Sequence, residues 1–140
     1  MIRKTAAALA VAAGFAAVIG IAGPAFAGTP GNGTLDNDEI GLWRDPGFVG
    51  NVLYDAPAGT QTTPWNYTGT FRNDASTPIN NNVSSIANYT PYYAVAWTGA
   101  GATGASLILA PYNTAPGGTS WAYSSLGSYN DSFSSHYAVI

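Results

Sequence analysis

Hydrophobic and polar positions alternate over short stretches after residue 27, and no window keeps an apolar helical period over several turns. Glycine and proline interrupt the chain about every ten residues, which is typical of an all-β protein. Loops rich in Gly, Asn, Thr and Pro separate the apolar stretches, so the pattern favours a small sandwich of Greek-key motifs. The predicted strands cover residues 39–43, 51–54, 83–87, 93–97, 106–109, 121–123 and 137–140.

The first 27 residues have the layout of a secretory signal peptide. Arg3 and Lys4 precede a long uncharged run, and Ala25-Phe26-Ala27 offers small side chains at a cleavage site. An uncleaved anchor helix is the alternative. We therefore expect a secreted, extracellular chain with no membrane segment after cleavage. A flexible leader at 28–38 and one domain at 39–140 would remain.

Charge and cysteine content exclude several classes of function. After cleavage, Arg44 and Arg72 are the only basic residues against seven acidic ones, so we expect no binding to nucleic acid or to anionic membranes. The absence of cysteine excludes disulfides, thiolate metal sites and a cysteine nucleophile. The single histidine excludes a polyhistidine zinc site, while four Trp, nine Tyr and five Phe provide apolar area for a core.

The domain contains an internal repeat. Residues 42–53 align with 96–107 and share one Trp, two Gly and one Leu. Further along, residues 80–85 (the first hexapeptide, Asn-Asn-Asn-Val-Ser-Ser) align with residues 130–135 (the second hexapeptide, Asn-Asp-Ser-Phe-Ser-Ser). Two matches in the same order indicate a duplicated unit.

We place the first copy at residues 39–92 and the second copy at 93–140. Neither copy is long enough to bury its own hydrophobic face, so we expect the two to pack together as one domain. The first copy has four more residues between its two matching segments, and we expect them in the loop at 61–74.

The start of each copy carries a recognisable hairpin pattern. Residues 43–50 read aromatic-x4-aromatic-x-Gly in full, and residues 97–104 repeat it with Ala102 in place of the second aromatic residue. Both hexapeptides read (Asn/Asp)-(Asn/Asp)-x-x-(Ser/Thr)-Ser. In these motifs and their order the chain resembles the βγ-crystallin superfamily, whose microbial calcium-binding members carry both. The resemblance implies two Greek-key motifs packed as a βγ-crystallin-like sandwich, with the hairpin aromatic ring over the glycine.

The resemblance also implies a paired clamp for two Ca²⁺ ions. Each site would take a side-chain and a backbone oxygen from one hexapeptide, a hydroxyl from the other, and a carbonyl from a hairpin. For one site the implied residues are Asn80 or Asn81, the carbonyl of Asn82, and Ser134. For the other they are Asn130 or Asp131, the carbonyl of Ser132, and Ser84. The hairpin carbonyls would be those of Arg44 and Thr98.

The charge of these ligands predicts weak binding. Asp131 is the only carboxylate in either hexapeptide. Because few anionic ligands give low affinity, we expect a dissociation constant of about 10⁻⁴ M or weaker, at least at the site of the first hexapeptide. The alternative is that both hexapeptides are turns stabilised by Asn, Asp and Ser side chains and hold no ion.

We expect no enzymatic activity. His136 follows Ser134 and Ser135, but neighbours on a strand point to opposite faces and no Gly-x-Ser-x-Gly elbow is present. The acidic run at 36–39 begins like an EF-hand loop but lacks the bidentate Glu that such a loop requires at its twelfth position.

Two other functions stay open for this expected monomer. Secreted bacterial metalloproteinase inhibitors have a similar fold and hairpin, although such inhibitors usually carry disulfides; an extracellular protease would then contact the loop at 61–74. A polysaccharide is the other possible partner, because exposed aromatic rings can stack on sugars. The aromatic residues available for this are Trp65, Tyr67, Tyr89, Tyr92, Tyr93, Tyr112, Trp121 and Tyr123.

Overall fold

The computed structural model describes residues 29–49, 53–72 and 74–140. The signal-peptide prediction and Gly50 lie outside the described residues. Within those ranges, no helix is both long and apolar enough to cross a membrane. The described strands are β1 (Glu39–Trp43), β2 (Leu53–Pro57), β3 (Trp65–Asn66), β4 (Thr70–Phe71), β5 (Asp74–Pro78), β6 (Ser85–Asn88), β7 (Ala94–Gly99), β8 (Thr103–Leu109), β9 (Ala122–Tyr123) and β10 (Ser135–Ala138).

Two four-stranded antiparallel sheets form the body of the protein. The first sheet has the order β2-β1-β6-β9, and the second has the order β8-β7-β10-β3. Each sheet takes three strands from one copy and one from the other, since β9 pairs with β6 and β3 pairs with β10. This exchange means that neither copy completes its own sheet. The expected all-β Greek-key sandwich is confirmed.

The strand registers identify equivalent residues in the two copies. Gly41 pairs with Ala87 in the first sheet, and Val95 pairs with Tyr137 in the second. Two residues along, Ser85 pairs with Trp43, as Ser135 pairs with Trp97. The offsets of 54 and 50 residues in the sequence repeat are therefore the structural equivalences as well.

The core lies between the two sheets. In β7 the small residues Ala94 and Ala96 are fully buried, whereas Val95 and Trp97 are half-buried on the outer face. Small side chains suffice there because large ones from other elements fill the space between the sheets. The largest of these are Phe71, Phe133, Ile40, Leu42, Ile79, Ile86 and Leu109.

The segment at 61–74 does not project as a free loop. It contains β3 and β4, and β4 pairs with β5 to form a small additional hairpin in the first copy. Trp65 stacks on His136 with 5.4 Å between ring centroids, and Tyr67 is buried in the core. Packing therefore accounts for these two aromatic side chains, and contact of the segment with an extracellular protease stays a prediction.

The expected flexible leader forms hydrogen bonds with the domain. The buried Asp55 carboxylate accepts from the backbone N–H groups of Asn32 at 2.8 Å and Gly33 at 3.0 Å. Glu39 accepts from the N–H of Asp36 at 2.8 Å, and Arg72 donates to the carbonyl of Gly31. Buried acceptors of β1 and β2 thus tie residues 31–36 to the first sheet.

Some strand ends differ from the sequence prediction. β1 has the predicted bounds, but β2 continues to Pro57 because Asp55 and Ala56 pair with β1. β10 begins at Ser135 rather than 137, because Ser135 pairs with both β3 and β7. The hexapeptides therefore lead directly into the central strands of the two sheets.

Candidate metal centre

The two hexapeptides face each other through reciprocal backbone hydrogen bonds. The N–H of Asn81 donates to the carbonyl of Phe133 at 3.0 Å, and the N–H of Asp131 donates to the carbonyl of Val83 at 3.0 Å. Each bond joins the second residue of one hexapeptide to the fourth residue of the other. The two corners are therefore held side by side with approximate twofold symmetry.

Side-chain contacts follow the same reciprocal pattern. The Ser84 hydroxyl donates to Oδ1 of Asp131 at 3.2 Å, and the Ser134 hydroxyl donates to Oδ1 of Asn81 at 3.1 Å. The sequence left open which residue of each Asn/Asp pair faces the clamp. The structure brings the second residue of each pair, Asn81 and Asp131, next to the serine of the opposite hexapeptide.

The first residues of the two pairs, Asn80 and Asn130, lie in the exposed part of each turn. Their carbonyls accept from within the turn, from Nδ2 of Asn82 at 3.0 Å and from the hydroxyl of Ser132 at 3.1 Å. The side-chain amide of Asn130 donates to Oδ2 of Asp131 at 2.7 Å. These contacts shape the turns, and Asn130 also orients the one carboxylate.

A left-handed backbone aims the second residue of each hexapeptide. Asn81 has a φ of 59° and Asp131 a φ of 55°. Asn and Asp adopt this region more readily than other residues with a side chain, because their short polar groups bond locally. The Asn/Asp requirement at this position is thus explained by backbone geometry as well as by oxygen chemistry.

Each hairpin is attached to the hexapeptide of its own copy. The N–H of Ser84 donates to the carbonyl of Trp43, and that of Ser134 to the carbonyl of Trp97, both at 2.8 Å. Arg44 and Thr98, whose carbonyls the resemblance implies as ligands, are the residues that follow these two tryptophans. The role of the tryptophan carbonyls could not be predicted from the sequence, because backbone pairing leaves no residue-type signal.

The last serine of each hexapeptide locks the hairpin itself. Ser85 Oγ donates to the carbonyl of Asp45 at 2.8 Å and accepts from the N–H of Phe48 at 3.2 Å. Ser135 Oγ makes the equivalent bonds, to the carbonyl of Gly99 at 2.7 Å and from the N–H of Ala102 at 3.0 Å. The final Ser of the motif therefore has a structural role in both copies.

The donor set suits a hard cation. Ser84 and Ser134 are 4% and 8% exposed, whereas Asn81 and Asp131 lie at the surface. Carboxylate, amide, hydroxyl and backbone oxygens are the ligands that Ca²⁺ prefers, while transition metals favour nitrogen and sulfur. Among the described residues no group of three or more His, Cys, Asp or Glu side chains could hold a metal, so any ion here would rely mostly on neutral oxygens.

The charge of Arg44 is compensated within the first copy. Its guanidinium donates to Asp74 at 2.6 Å and to Asp45 at 3.1 Å. Hydrogen bonds from Ser76 and Thr77, together with Arg44, hold the pKa of Asp74 below its usual range. The side chain of this implied carbonyl ligand therefore has its positive charge paired with carboxylates.

Comparison with solved structures agrees with this architecture. A βγ-crystallin domain solved in work on the evolution of the eye-lens fold aligns over 72% of this chain and 84% of its own length, with 18% identity and a TM-score of 0.50. The chain has the βγ-crystallin fold. A βγ-crystallin from an archaeon aligns over 74% of this chain and 99% of that one, with 19% identity and a TM-score of 0.47. No protein-family model matches the chain, and no curated protein matches it.

The ring-over-glycine arrangement expected of the hairpins is untested in the first copy, because Gly50 lies outside the described residues, and it is not found at Gly104 in the second. The Trp43 ring lies over Gly41, where an added Cβ would come within 2.6 Å of the ring, and Phe48 meets Trp43 edge-on at 5.0 Å. In the second copy an added Cβ at Gly104, whose φ is 83°, would come within 2.5 Å of the Thr98 hydroxyl. There the glycine makes room for a hydroxyl rather than for a ring.

The imidazole of His136 is part of the core. Its Nε2 bonds the carbonyl of Pro57 at 2.8 Å and its Nδ1 bonds the hydroxyl of Tyr67 at 3.1 Å. The hydroxyls of Ser134 and Ser135 bond Asn81 and Gly99 instead. Burial lowers the pKa of His136 to about 4, so the ring is neutral at pH 7.

Proposed function

We propose that this protein is a secreted calcium-binding protein in which Ca²⁺ joins each hexapeptide to the opposite copy and stabilises the fold. The supporting observation is the reciprocal contact of Ser84 with Asp131 and of Ser134 with Asn81, at 3.2 and 3.1 Å. Secretion is proposed from the signal-peptide pattern at residues 1–27.

The spacing of these oxygens supports the proposal. Ca²⁺ binds oxygen at roughly 2.3–2.6 Å, so neighbouring ligands of one ion lie about 3 Å apart. The two serine–Asn/Asp separations already have that length, and the ion would need only rotation of each hydroxyl proton away from its acceptor. The side chains of Asn81 and Asp131 would thus bind the ions together with the two serines. The remaining protein ligands would be backbone carbonyls, those of Asn82, Ser132, Arg44 and Thr98.

Calcium bound in this clamp would stabilise the domain because the unfolded chain lacks the site. With a dissociation constant of about 10⁻⁴ M, 1 mM Ca²⁺ would add about 1.4 kcal/mol per site. In a domain of this size, that corresponds to a rise of about 5 °C in melting temperature.

Thermal melting with and without calcium tests the proposal. We expect 10 mM CaCl₂ to raise the Tm of the mature protein relative to EDTA, with a smaller rise in MgCl₂ because Mg²⁺ demands a stricter octahedral geometry. Titration calorimetry should give the same affinity. An identical Tm and no calorimetric signal would exclude calcium binding.

Serine variants locate the ion. Ser84→Ala and Ser134→Ala should each lose part of the calcium-dependent rise, and the double variant should lose nearly all of it. Ser125→Ala, at an exposed serine outside both hexapeptides, is the matched control and should retain the full rise. Melting in EDTA measures the structural cost of each variant separately, so a fold defect is distinguished from lost binding.

A further inference from the structure

The two sheets present different outer faces at equivalent positions. In the first sheet the paired residues are Gly41 and Ala87; in the second they are Val95 and Tyr137. Ala87 also pairs with Ala122 of β9, so only small side chains cover the outer face of the first sheet where β6 and β9 meet. Trp43 and Leu35 cover Gly41, so the open floor of the first sheet consists of Ala87 and Ala122, whereas the second sheet carries Tyr137 at the position of Ala87.

Aromatic side chains form walls around this floor. A groove of about 260 Å³ lies over Ala87 and Ala122, with Trp43 and Phe48 on the hairpin side. Tyr89 and Trp121 also line it. All four aromatic residues belong to elements whose backbone is fixed by sheet or turn hydrogen bonds.

A second groove continues from the first across Tyr89. It has a volume of about 270 Å³ and is lined by Asn37, Asp38, Pro91 and Tyr112 in addition to Tyr89. Tyr112 is 43% exposed, so part of its ring remains accessible. We call the two together the double groove. Its combined size falls in the range of small-molecule sites, and each half has room for about one ring.

The aromatic residues of the double groove form a rigid cluster. The centroids of Tyr89 and Tyr112 lie 4.4 Å apart, and Trp121 meets Tyr112 edge-on at 5.0 Å. Asn88, which precedes Tyr89, is buried, and its side chain donates to the carbonyls of Ala110 and Tyr92 at 2.7 and 2.8 Å. Such a surface is already ordered before a ligand arrives, which lowers the entropic cost of binding.

The chemistry of the lining selects the class of ligand. The described lining residues include a carboxylate, Asp38, and an amide, Asn37, but no basic side chain, which disfavours anionic ligands. The electron-rich faces of aromatic rings attract polarised C–H groups, and carboxylate and amide groups bond hydroxyls. A ligand with C–H faces, many hydroxyls and no negative charge matches both requirements.

We propose that the double groove binds a neutral polysaccharide, with one sugar ring stacked beside Tyr112 and Tyr89 and the next over the Ala87–Ala122 floor. Asn37 and Asp38 would bond sugar hydroxyls at the rim. The double groove shares no residue with the hexapeptides or with Arg44 and Thr98, so sugar binding is separate from the calcium clamp.

Pull-down on insoluble cellulose, chitin, xylan and starch tests the proposal, with the mature protein in CaCl₂ and in EDTA. We expect retention on at least one of these polymers in both solutions. Soluble oligosaccharides of that polymer should release the protein and change the Trp fluorescence, because Trp121 lies in the lining. No retention on any of the four polymers would overturn the proposal.

Two variants and a matched control locate the contact. Tyr112→Ala should weaken retention about tenfold, the factor expected from loss of one stacked ring. Ala87→Tyr should abolish it by placing on the floor the residue that the second sheet carries. Tyr93→Ala removes a tyrosine of nearly equal exposure, 42%, that does not line the double groove, and it should bind like the wild type.

Melting temperatures of all variants exclude loss of fold as the cause. Equal retention of the Tyr112→Ala and wild-type proteins would place the sugar elsewhere and overturn the assignment. A concentration-dependent dimer that Tyr112→Ala abolishes would assign the double groove to a second copy of the chain instead, and would equally overturn it.

Discussion

The two copies have nearly the same backbone hydrogen bonds and differ in the side chains that those bonds hold in place. Ser84 and Ser134 make equivalent bonds to the hairpins, as do Ser85 and Ser135. At other equivalent positions the copies diverge, with Ile86 against His136 in the core. The fold thus depends on the repeated serines and turns, whereas divergence at positions between them gives each copy separate properties.

The largest expected effect comes from the residues that differ in the hydrophobic core, Ile86 in the first copy and His136 in the second. Ile86 and His136 are both fully buried, but only His136 can take up a proton. Its folded-state pKa of about 4 lies below the value of 6.5 in the unfolded chain. Stability should therefore be constant above pH 6.5 and should decrease as the pH falls toward 4, because the unfolded state binds the proton more readily.

We expect the free energy of unfolding to fall by about 2 kcal/mol between pH 7 and pH 5 on account of His136. Urea denaturation at a series of pH values measures it. His136→Ile places in the second copy the residue that the first copy has, and Tyr67→Phe removes the hydroxyl that would otherwise lose its partner. This double variant should therefore lack the fall in stability that His136 causes over this range.

Glu39 provides an internal check on this result. Burial raises the pKa of Glu39, so its own contribution to stability increases as the pH falls. That effect is common to the wild type and the double variant and cancels in their difference. Parallel pH profiles for the two proteins would contradict the assignment to His136.

The clamp differs by one charge between copies, since Asn81 stands where the second copy has Asp131. Under the proposed function, Asp131→Asn should weaken calcium binding about tenfold at its site, equivalent to about 1.4 kcal/mol. Asn81→Asp should strengthen the other site by a similar factor. Both substitutions conserve size, so calorimetric titration reports charge rather than packing.

Asn80→Asp is the matched control for the clamp, because Asn80 lies in the same hexapeptide outside the serine contacts. It should change affinity less than Asn81→Asp. A larger effect at Asn80 would assign the ligand to the first residue of the pair.

The smallest expected difference lies in the hairpins. Phe48 packs against Trp43, whereas Ala102 takes the same left-handed backbone position beside Trp97, with φ values of 56° and 60°. Ala102→Phe should stabilise the protein by about 1 kcal/mol through a new aromatic pair, and Phe48→Ala should destabilise it by more than that amount. Thermal melting in EDTA measures both changes in stability without any contribution from calcium. A destabilised Ala102→Phe protein would mean that the second hairpin has no room for a ring.

Several features could be predicted because they have a local or repeated signal. The Greek-key sandwich follows from the duplicated hairpin and hexapeptide, and β1 follows from a clear apolar stretch. β3 and β4 were missed because each has only two residues, too few for an alternating pattern, and each is defined by its partner strand. β5 was missed because Asp74–Pro78 is polar and largely exposed.

The candidate clamp also has features that could be predicted from the sequence and features that could not. The hexapeptides could be located from sequence, but the choice of Asn81 over Asn80 could not, because adjacent Asn residues have the same chemistry. That choice depends on a left-handed backbone and on a carbonyl from the other copy. The sequence also could not distinguish buried from exposed aromatic residues. Tyr67 is buried and Trp65 is half-buried against the core, while Tyr112 lines a surface groove.

The sequence by itself determined the all-β class, the duplication and the two oxygen-rich segments, since each is a matter of residue type at short range. Only the tertiary structure decided which strands exchange between the sheets, which oxygens meet across the two copies, and which aromatic rings remain exposed. Those outcomes depend on contacts between residues far apart in the chain, where the packing of one copy sets the surroundings of the other.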